Sequence, residues 1–256
     1  MQDKKFKIAI PARYQSTRLP GKPLLDIAGK PMIQWVYEKA MQCGADEVVV
    51  ATDDLRILEI CEGFGANVCM TASDHQSGTD RLAELARNCG WDRGDIVVNL
   101  QGDEPLIPTS LLIQVAENLA LNSDSAIATL FTPIHERADI NDPHIVKVVK
   151  SNSGQALYFS RAPIPWDRDG KITDAEIPNH YARHLGIYAY RVDFLLSYTS
   201  LQSSCLERYE SLEQLRAISN GYKIHIDQAV DLPGMGVDTP EDLEKVRNEL
   251  LRENGK

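Results

Sequence analysis

Residues 11–30 hold Arg13, Arg18, Lys22 and Lys30, with Asp26 the only acid among them. The core of this segment, IPARYQSTRLPGKPL (10–24), follows an apolar run directly. Pro11 and Pro20 stiffen it, and Gly21 lets the backbone come close to a ligand. Arg13 can meet phosphate oxygens as a planar fork and Lys22 as a point charge. Free backbone N–H groups in such a loop form an anion-binding concavity. No G-x-x-x-x-G-K-[ST] occurs in the chain, so the segment reads as a triphosphate cradle without a P-loop motif. A solvated charged loop is the plainer alternative, but the Pro/Gly framing argues for a held shape.

Two acidic segments could complete such a site. In VVNLQGDEP (97–105) an apolar strand runs into Gln101, Gly102, Asp103 and Glu104. Carboxylates at the end of a buried strand are costly unless paired. They either face water and cap the next helix, or bind Mg²⁺, which takes one or two carboxylates plus substrate phosphates. Asp103, directly after the glycine, is the stronger candidate and Glu104 the weaker. In PGMGVDTPEDL (233–243) Asp238 is either a helix N-cap or, with Thr239 taking that task, a second carboxylate beside Asp103. Both readings stand.

Further polar groups are scattered along the chain. TASDHQSGTDR (71–81) either offers backbone amides at a helix start to a base or phosphate, or is a loop capped by Ser77 or Thr79; the second is simpler. YFSRAPIPWDRD carries Arg161 and Trp166, RHLGIYAY carries His184 and Tyr188, and LERYESLEQLR carries Glu210, Glu213 and Gln214. Together they could read a hydroxylated acid. Singly, His184 fits a satisfied core residue and the acids a solvated helix face.

The elements that must position these groups follow from periodicity. KFKIAI, EVVVAT, NVCM and DIVVNL read as strands. They alternate with helices over Pro31–Met41, over a segment carrying Leu55, Leu58, Ile60 and Cys61 after an Asp53 or Asp54 cap, over Thr79–Cys89, and over 111–121. Such alternation implies a mostly parallel sheet with helices on both faces. After about residue 125 the pattern changes. SAIATLF, HIVKVVK, ALYFS, HLGIYAYR and KIHID read as strands, LERYESLEQLRAISN as one helix, and PEDLEKVRNELL as a closing helix with Pro240 in its first turn. The reading is one α/β domain over 1–256 with an inserted, more antiparallel region at about 151–225.

Composition narrows the function classes. The 256 residues carry a net charge of −10, which argues against a broad nucleic-acid face but leaves room for a local anion site. No apolar run reaches the length of a membrane span, and MQDKKFKIAI lacks the features of a signal peptide, so a cytoplasmic location is expected. Cys43, Cys61, Cys69, Cys89 and Cys205 form no C-x-x-C pair and read as reduced structural thiols. Gly63-Phe64-Gly65 and Gly234-Met235-Gly236 lack the third glycine and the strand–turn–helix context of a dinucleotide site, which excludes a dehydrogenase.

As a set, IPARYQSTRLPGKPL, ATDD, DHQSGTDRLAE, VNLQGDEPLIP, YFSRAPIPWDRD, RHLGIYAYR, LEQLR and GVDTPEDLEKVR closely resemble the 3-deoxy-D-manno-octulosonate (Kdo) cytidylyltransferase, or CMP-Kdo synthetase, family, over nearly the whole chain and in the family's order. The resemblance implies a nucleotide-diphospho-sugar transferase (Rossmann-like) α/β fold. It also implies CTP, Kdo and Mg²⁺ as reactants and cofactor, with CMP-Kdo for lipopolysaccharide as product, and a homodimer formed through the inserted region. By motif it makes Arg13 and Lys22 phosphate ligands, Ala12 a backbone contact, and Asp103 and Asp238 the Mg²⁺ carboxylates. Ser77, Gly78, Thr79 and Arg81 hold the nucleotide, Gln101 lies beside nucleotide and sugar, and Arg161, His184, Tyr188, Glu213 and Gln214 match sugar-pocket segments. One departure is GKITDAEIPNHYA (170–182), shorter than in many relatives and expected to trim a surface loop. Alternatives are a cytidylyltransferase for amino-Kdo or a sialic acid, and a non-catalytic nucleotide sensor. Intact Lys22, Asp103 and Asp238 argue against the latter.

Overall fold

A computed structural model describes residues 6–15, 19–75 and 77–254; Arg18 and Gln76 of the motifs above lie outside them. The chain opens with β1 (Lys7–Ala12), a short 3₁₀ turn (Lys22–Leu24) and a two-residue hairpin of β2 (Asp26–Ile27) and β3 (Lys30–Pro31). Strands and helices then alternate: α1 (Met32–Met41), β4 (Glu47–Thr52), α2 (Leu55–Gly63), β5 (Val68–Met70), α3 (Gly78–Asn88), β6 (Ile96–Asn99), α4 (Thr109–Leu121) and β7 (Ile127–Pro133). After α5 (Arg137–Asn141) come β8 (Lys147–Lys150), β9 (Ala156–Ser160), α6 (Ile177–His180) and β10 (Ala182–Arg191). The chain closes with α7 (Val192–Tyr198), α8 (Cys205–Glu210), α9 (Gln214–Ser219), β11 (Ile224–Gln228) and α10 (Pro240–Asn254).

The main sheet runs β11-β7-β10-β6-β1-β4-β5. β1 pairs in parallel with β4 and β6, β4 with β5, and β7 with β11. β10 is the exception. It inserts antiparallel between β6 and β7, and β8 and β9 extend from it as a small antiparallel arm. The architecture is therefore the expected mixed, mostly parallel sheet with an antiparallel addition. The side-chain period of two divides the central strands between faces. Ile8 and Ile10 of β1 meet α1, α2 and α4 on one side, while Ala9 faces Leu82, Leu85 and Ala86 of α3 and α7 on the other. Both layers are predominantly apolar, as strands buried on both faces require, with Arg81 of α3 a buried exception.

Several expectations need correction. The helix read over LERYESLEQLRAISN is two helices, because Ser211 takes a left-handed φ of 52°. That break resets the helical phase, and Leu212 drops into the core. HIVKVVK forms a strand only from Lys147, whose buried ammonium donates to the carbonyls of Asp142, Ile145 and Arg161 at 2.8, 2.6 and 2.6 Å. Helix α2 buries Ile57 and Cys61, leaving Leu55 and Ile60 exposed. Asp54 caps it, accepting from the Arg56 N–H at 3.0 Å. Segment 170–182, expected to be a trimmed surface loop, carries secondary structure of its own. It holds α6, and Ile177 is fully buried with Ile134, Ile140 and Tyr181.

The C-terminal segment closes over the start of the chain. Helix α10 packs Leu243, Val246 and Leu250 against Ile27, Met32 and Val237. Thr239, rather than Asp238, caps it: its Oγ1 accepts from the Asp242 N–H at 3.2 Å, and the Asp242 carboxylate returns to the Thr239 N–H at 3.0 Å. The approach to α10 passes Gly234, where an added Cβ would lie 2.1 Å from the Leu106 carbonyl oxygen. Nothing larger fits without moving backbone. Gly234→Ala is expected to cost about 2 kcal/mol by overpacking and to lower the thermal midpoint by about 5 °C, measured by calorimetry. An unchanged midpoint would mean that this loop yields freely.

Candidate active site

The C-terminal ends of β1 and β6, the N-terminus of α3 and the loop before α10 meet at one edge of the sheet. Gly21 sets the local geometry. Its φ of 69° turns the chain into the 3₁₀ helix, and its N–H donates to the Tyr14 carbonyl at 2.9 Å, closing the first loop. Lys22 is thereby aimed across the sheet. Its ammonium donates to Asp103 Oδ2 at 2.5 Å, to the Val237 carbonyl at 2.9 Å and to Asp238 Oδ1 at 3.3 Å. The Val237 N–H donates to the Asp103 carbonyl at 2.9 Å, which locks the two acidic segments together. With Thr239 as the cap, Asp238 is available to this cluster. Burial, helped by the Asp103 carboxylate, pushes Glu104 up to about 7.

A cavity of about 260 Å³ opens beside this cluster, lined by Ala12, Arg13, Lys22, Gly78, Gln101 and Asp103 among others. Arg13 donates to the Ser77 carbonyl at 3.1 Å, joining the first loop to the start of α3. Burial and the nearby Arg81 guanidinium hold Arg13 below its ordinary value. Ser77 caps α3, accepting from the Asp80 N–H at 3.1 Å. Arg81 is wholly buried, bonded to Thr71 and, at 2.7 Å, to Asp53. It braces the loop from behind and does not line the cavity.

A second cavity of about 300 Å³ adjoins the first, since Gly78 and Gln101 line both. Its wall includes Thr79, Tyr188, Glu213 and Gln214. Thr79 Oγ1 donates to Glu213 Oε2 at 3.0 Å, and burial nevertheless raises the Glu213 carboxyl above its ordinary value. The break at Ser211 is what turns Glu213 and Gln214 toward this space. Two expected members stand apart from both walls. His184 is buried, bonded to Thr129 Oγ1 at 3.0 Å and set edge-on to Phe159; burial pulls it down to about 3, so it is neutral at working pH. Its ring lies 5.4 Å from that of Tyr188. Arg161 donates to the carbonyls of Glu210 and Pro143 at 2.7 and 2.9 Å.

Sequence reasoning passed over Asn99, Tyr190, Phe194 and Tyr198, which also line the second cavity. The signal for Asn99 was present: a polar residue inside the apolar run VVNL. The aromatic groups of α7 carried none, because a short apolar helix without caps looks like more core.

A family model described as cytidylyltransferase matches residues 8–224. The 3-deoxy-manno-octulosonate cytidylyltransferase of Aliivibrio fischeri (strain MJ11) is 57% identical over 243 residues, 94% of this chain and 97% of its own. The enzyme of the same description from Thioalkalivibrio sulfidiphilus is 55% identical over 248 residues, covering 96% and 99%. Among solved structures, a CMP:2-keto-3-deoxy-manno-octonic acid synthetase in complex with CTP superposes with a TM-score of 0.88 at 47% identity, covering 97% of this chain and 99% of that one. Likeness of that extent, in sequence and in fold, spans both cavities and every strand between them, and the chain belongs to the 3-deoxy-manno-octulosonate cytidylyltransferase family.

Proposed function

We propose that this chain transfers the cytidylyl group of CTP to Kdo, giving CMP-Kdo and pyrophosphate for lipopolysaccharide assembly. The observation that carries this reading is the pair of adjoining cavities. One is lined by Arg13 and Lys22 and suits a triphosphate; the other holds hydroxyl, amide and carboxyl groups and suits a polyol. They meet at Gly78 and Gln101, where the reacting centres of two substrates would be held together. Ala12, Ser77, Gly78 and Thr79 then border the nucleotide with Arg13 and Lys22. Tyr188, Glu213, Gln214 and Gln101 border the sugar. In this reading His184 orients Tyr188 from behind, and Arg161 fixes the segment from Glu210 toward Glu213; Arg81 does the same for the nucleotide loop.

Asp103 and Asp238 fit a divalent cation. Two hard oxygen donors already converge on one positive point, the Lys22 ammonium, and Mg²⁺ takes such a pair together with substrate phosphates. When bound, Mg²⁺ would supply charge neutralisation at the α-phosphate and favour ionisation of the sugar hydroxyl. The chain's own tasks are positioning and charge. The anomeric hydroxyl of the sugar, held against Gln101, attacks the α-phosphorus in line. Arg13 and Lys22 hold the β- and γ-phosphates and stabilise the departing pyrophosphate. The proposal includes a cytoplasmic location and a homodimer; exposed Leu157 and Trp166, on and near the antiparallel arm, supply apolar surface for the latter.

Pyrophosphate release tests the reading. Purified protein with CTP, Mg²⁺ and Kdo is expected to release it, while UTP or ATP, or sialic acid in place of Kdo, releases little. Preference for another sugar acid would redraw the sugar pocket, and no release with any pair would overturn the enzyme assignment. In the same assay Asp103→Asn is expected to lower turnover by roughly 100-fold or more, with an unchanged circular-dichroism spectrum. Near-normal turnover would remove Asp103 from the metal site.

A further inference from the structure

Seven buried side-chain polar atoms among the described residues have no protein hydrogen-bond partner, and three of them belong to the wall of the second cavity: Asn99 Oδ1, Tyr198 Oη and Gln214 Nε2. Their residues are 5%, 2% and 8% exposed. Buried polar groups are normally satisfied, so three orphans on one wall mark a surface shaped for a ligand's hydrogen bonds. Gln214 belongs to the sugar-pocket motif. Asn99 lies inside VVNLQGDEP, ahead of its acidic residues, and Tyr198 lies outside every motif quoted above.

Both residues are held rigidly. Asn99 ends β6, paired with Ala9 on one side and Tyr188 on the other. Tyr198 ends α7, with its ring edge-on to Phe194 at 5.8 Å and the Arg216 guanidinium 4.5 Å from its centroid. The packing fixes each ring and amide plane and leaves the orphaned atom as the unspent function. No lysine or arginine lines this cavity, whereas Arg13 and Lys22 line its neighbour. Glu213 adds a carboxyl group to the same wall. A wall of hydroxyl, amide and carboxyl groups without a lysine or arginine suits neutral hydroxyl groups better than a carboxylate.

We infer that Asn99 and Tyr198 are specificity-determining residues that read the hydroxylated tail of the sugar acid, while its carboxylate points away toward the cationic cavity. Asn99 Oδ1 accepts from one hydroxyl, and the Tyr198 hydroxyl bonds another. This rests on the proposed sugar-acid substrate and adds which end of it enters the second cavity. A site built to hydrogen-bond a hydroxyl rejects the analogue lacking it, because its own buried groups are then left unpaired.

Tyr198→Phe is the cleaner variant, since the lost hydroxyl has no protein partner, whereas Asn99→Ala also truncates a buried side chain at the end of β6. Tyr198→Phe is expected to keep the wild-type thermal midpoint or raise it slightly, to leave the KM for CTP unchanged, and to raise the KM for Kdo roughly 3- to 10-fold. With a Kdo analogue lacking the terminal hydroxyl, wild type and variant are expected to converge. An unchanged KM for Kdo, or an equal loss with the deoxy analogue, would overturn the inference while wild-type turnover left the proposed reaction standing. No wild-type turnover of Kdo would instead strike the reaction itself.

Discussion

The Lys22 ammonium is where three distant parts of the chain meet. It reaches Asp103 at 2.5 Å and the segment holding Val237 and Asp238 at 2.9 and 3.3 Å. Each of these groups is costly alone. A half-buried lysine wants anions, and two facing carboxylates want a cation. Bringing them together resolves both demands and fixes the first loop, the end of β6 and the approach to α10 in one arrangement. The surrounding fold serves that meeting: β1 and β6 are neighbours in the sheet, and α10 is anchored over β2 by Leu243, Val246 and Leu250. An arrangement held by a cation between carboxylates is also one that a divalent ion and a triphosphate can enter by exchange, with Lys22 turning to the phosphates.

The sheet divides the remaining chemistry in two. Its parallel half ends in the cationic cavity, and its antiparallel insertion β10 delivers Tyr188 and Tyr190 to the neighbouring one. Because β10 lies between β6 and β7, the loop after β6 and the tyrosines of β10 are adjacent by register: Tyr188 sits opposite Asn99. The result separates a region suited to negative charge from one suited to hydroxyl groups, within a protein whose net charge is −10. Local placement of Arg13 and Lys22 outweighs the overall balance, because screening limits how far the surplus of acids is felt.

Much of this was legible in the sequence where the signal was local. The continuous apolar runs of β4 and β6, the proline opening α10 and the charge contrast in residues 11–30 each follow from short-range physical rules. Thr239 Oγ1 takes the cap, so Asp238, open in the sequence between cap and metal ligand, is not needed for that task. What could not be read depended on tertiary context. The left-handed turn at Ser211 has no glycine or asparagine to announce it, so α8 and α9 looked like one helix. Tyr198 and Phe194 carried no signal of their own in the sequence, and they are core on all but the edge that meets the cavity. The resemblance implied Arg81 and His184 as ligands, with a core place open for His184; their partners in the structure, Asp53 and Thr129, lie far away in sequence.

The central claim is that Asp103 and Asp238 act as one site that receives the triphosphate together with a divalent cation. Calorimetric titration of CTP, with and without Mg²⁺, tests it most directly on the wild type and on Asp238→Asn. The account expects Mg²⁺ to tighten CTP binding at least about tenfold in the wild type, and most of that gain to vanish in the variant. An equal Mg²⁺ effect in both proteins, or none in the wild type, would contradict it.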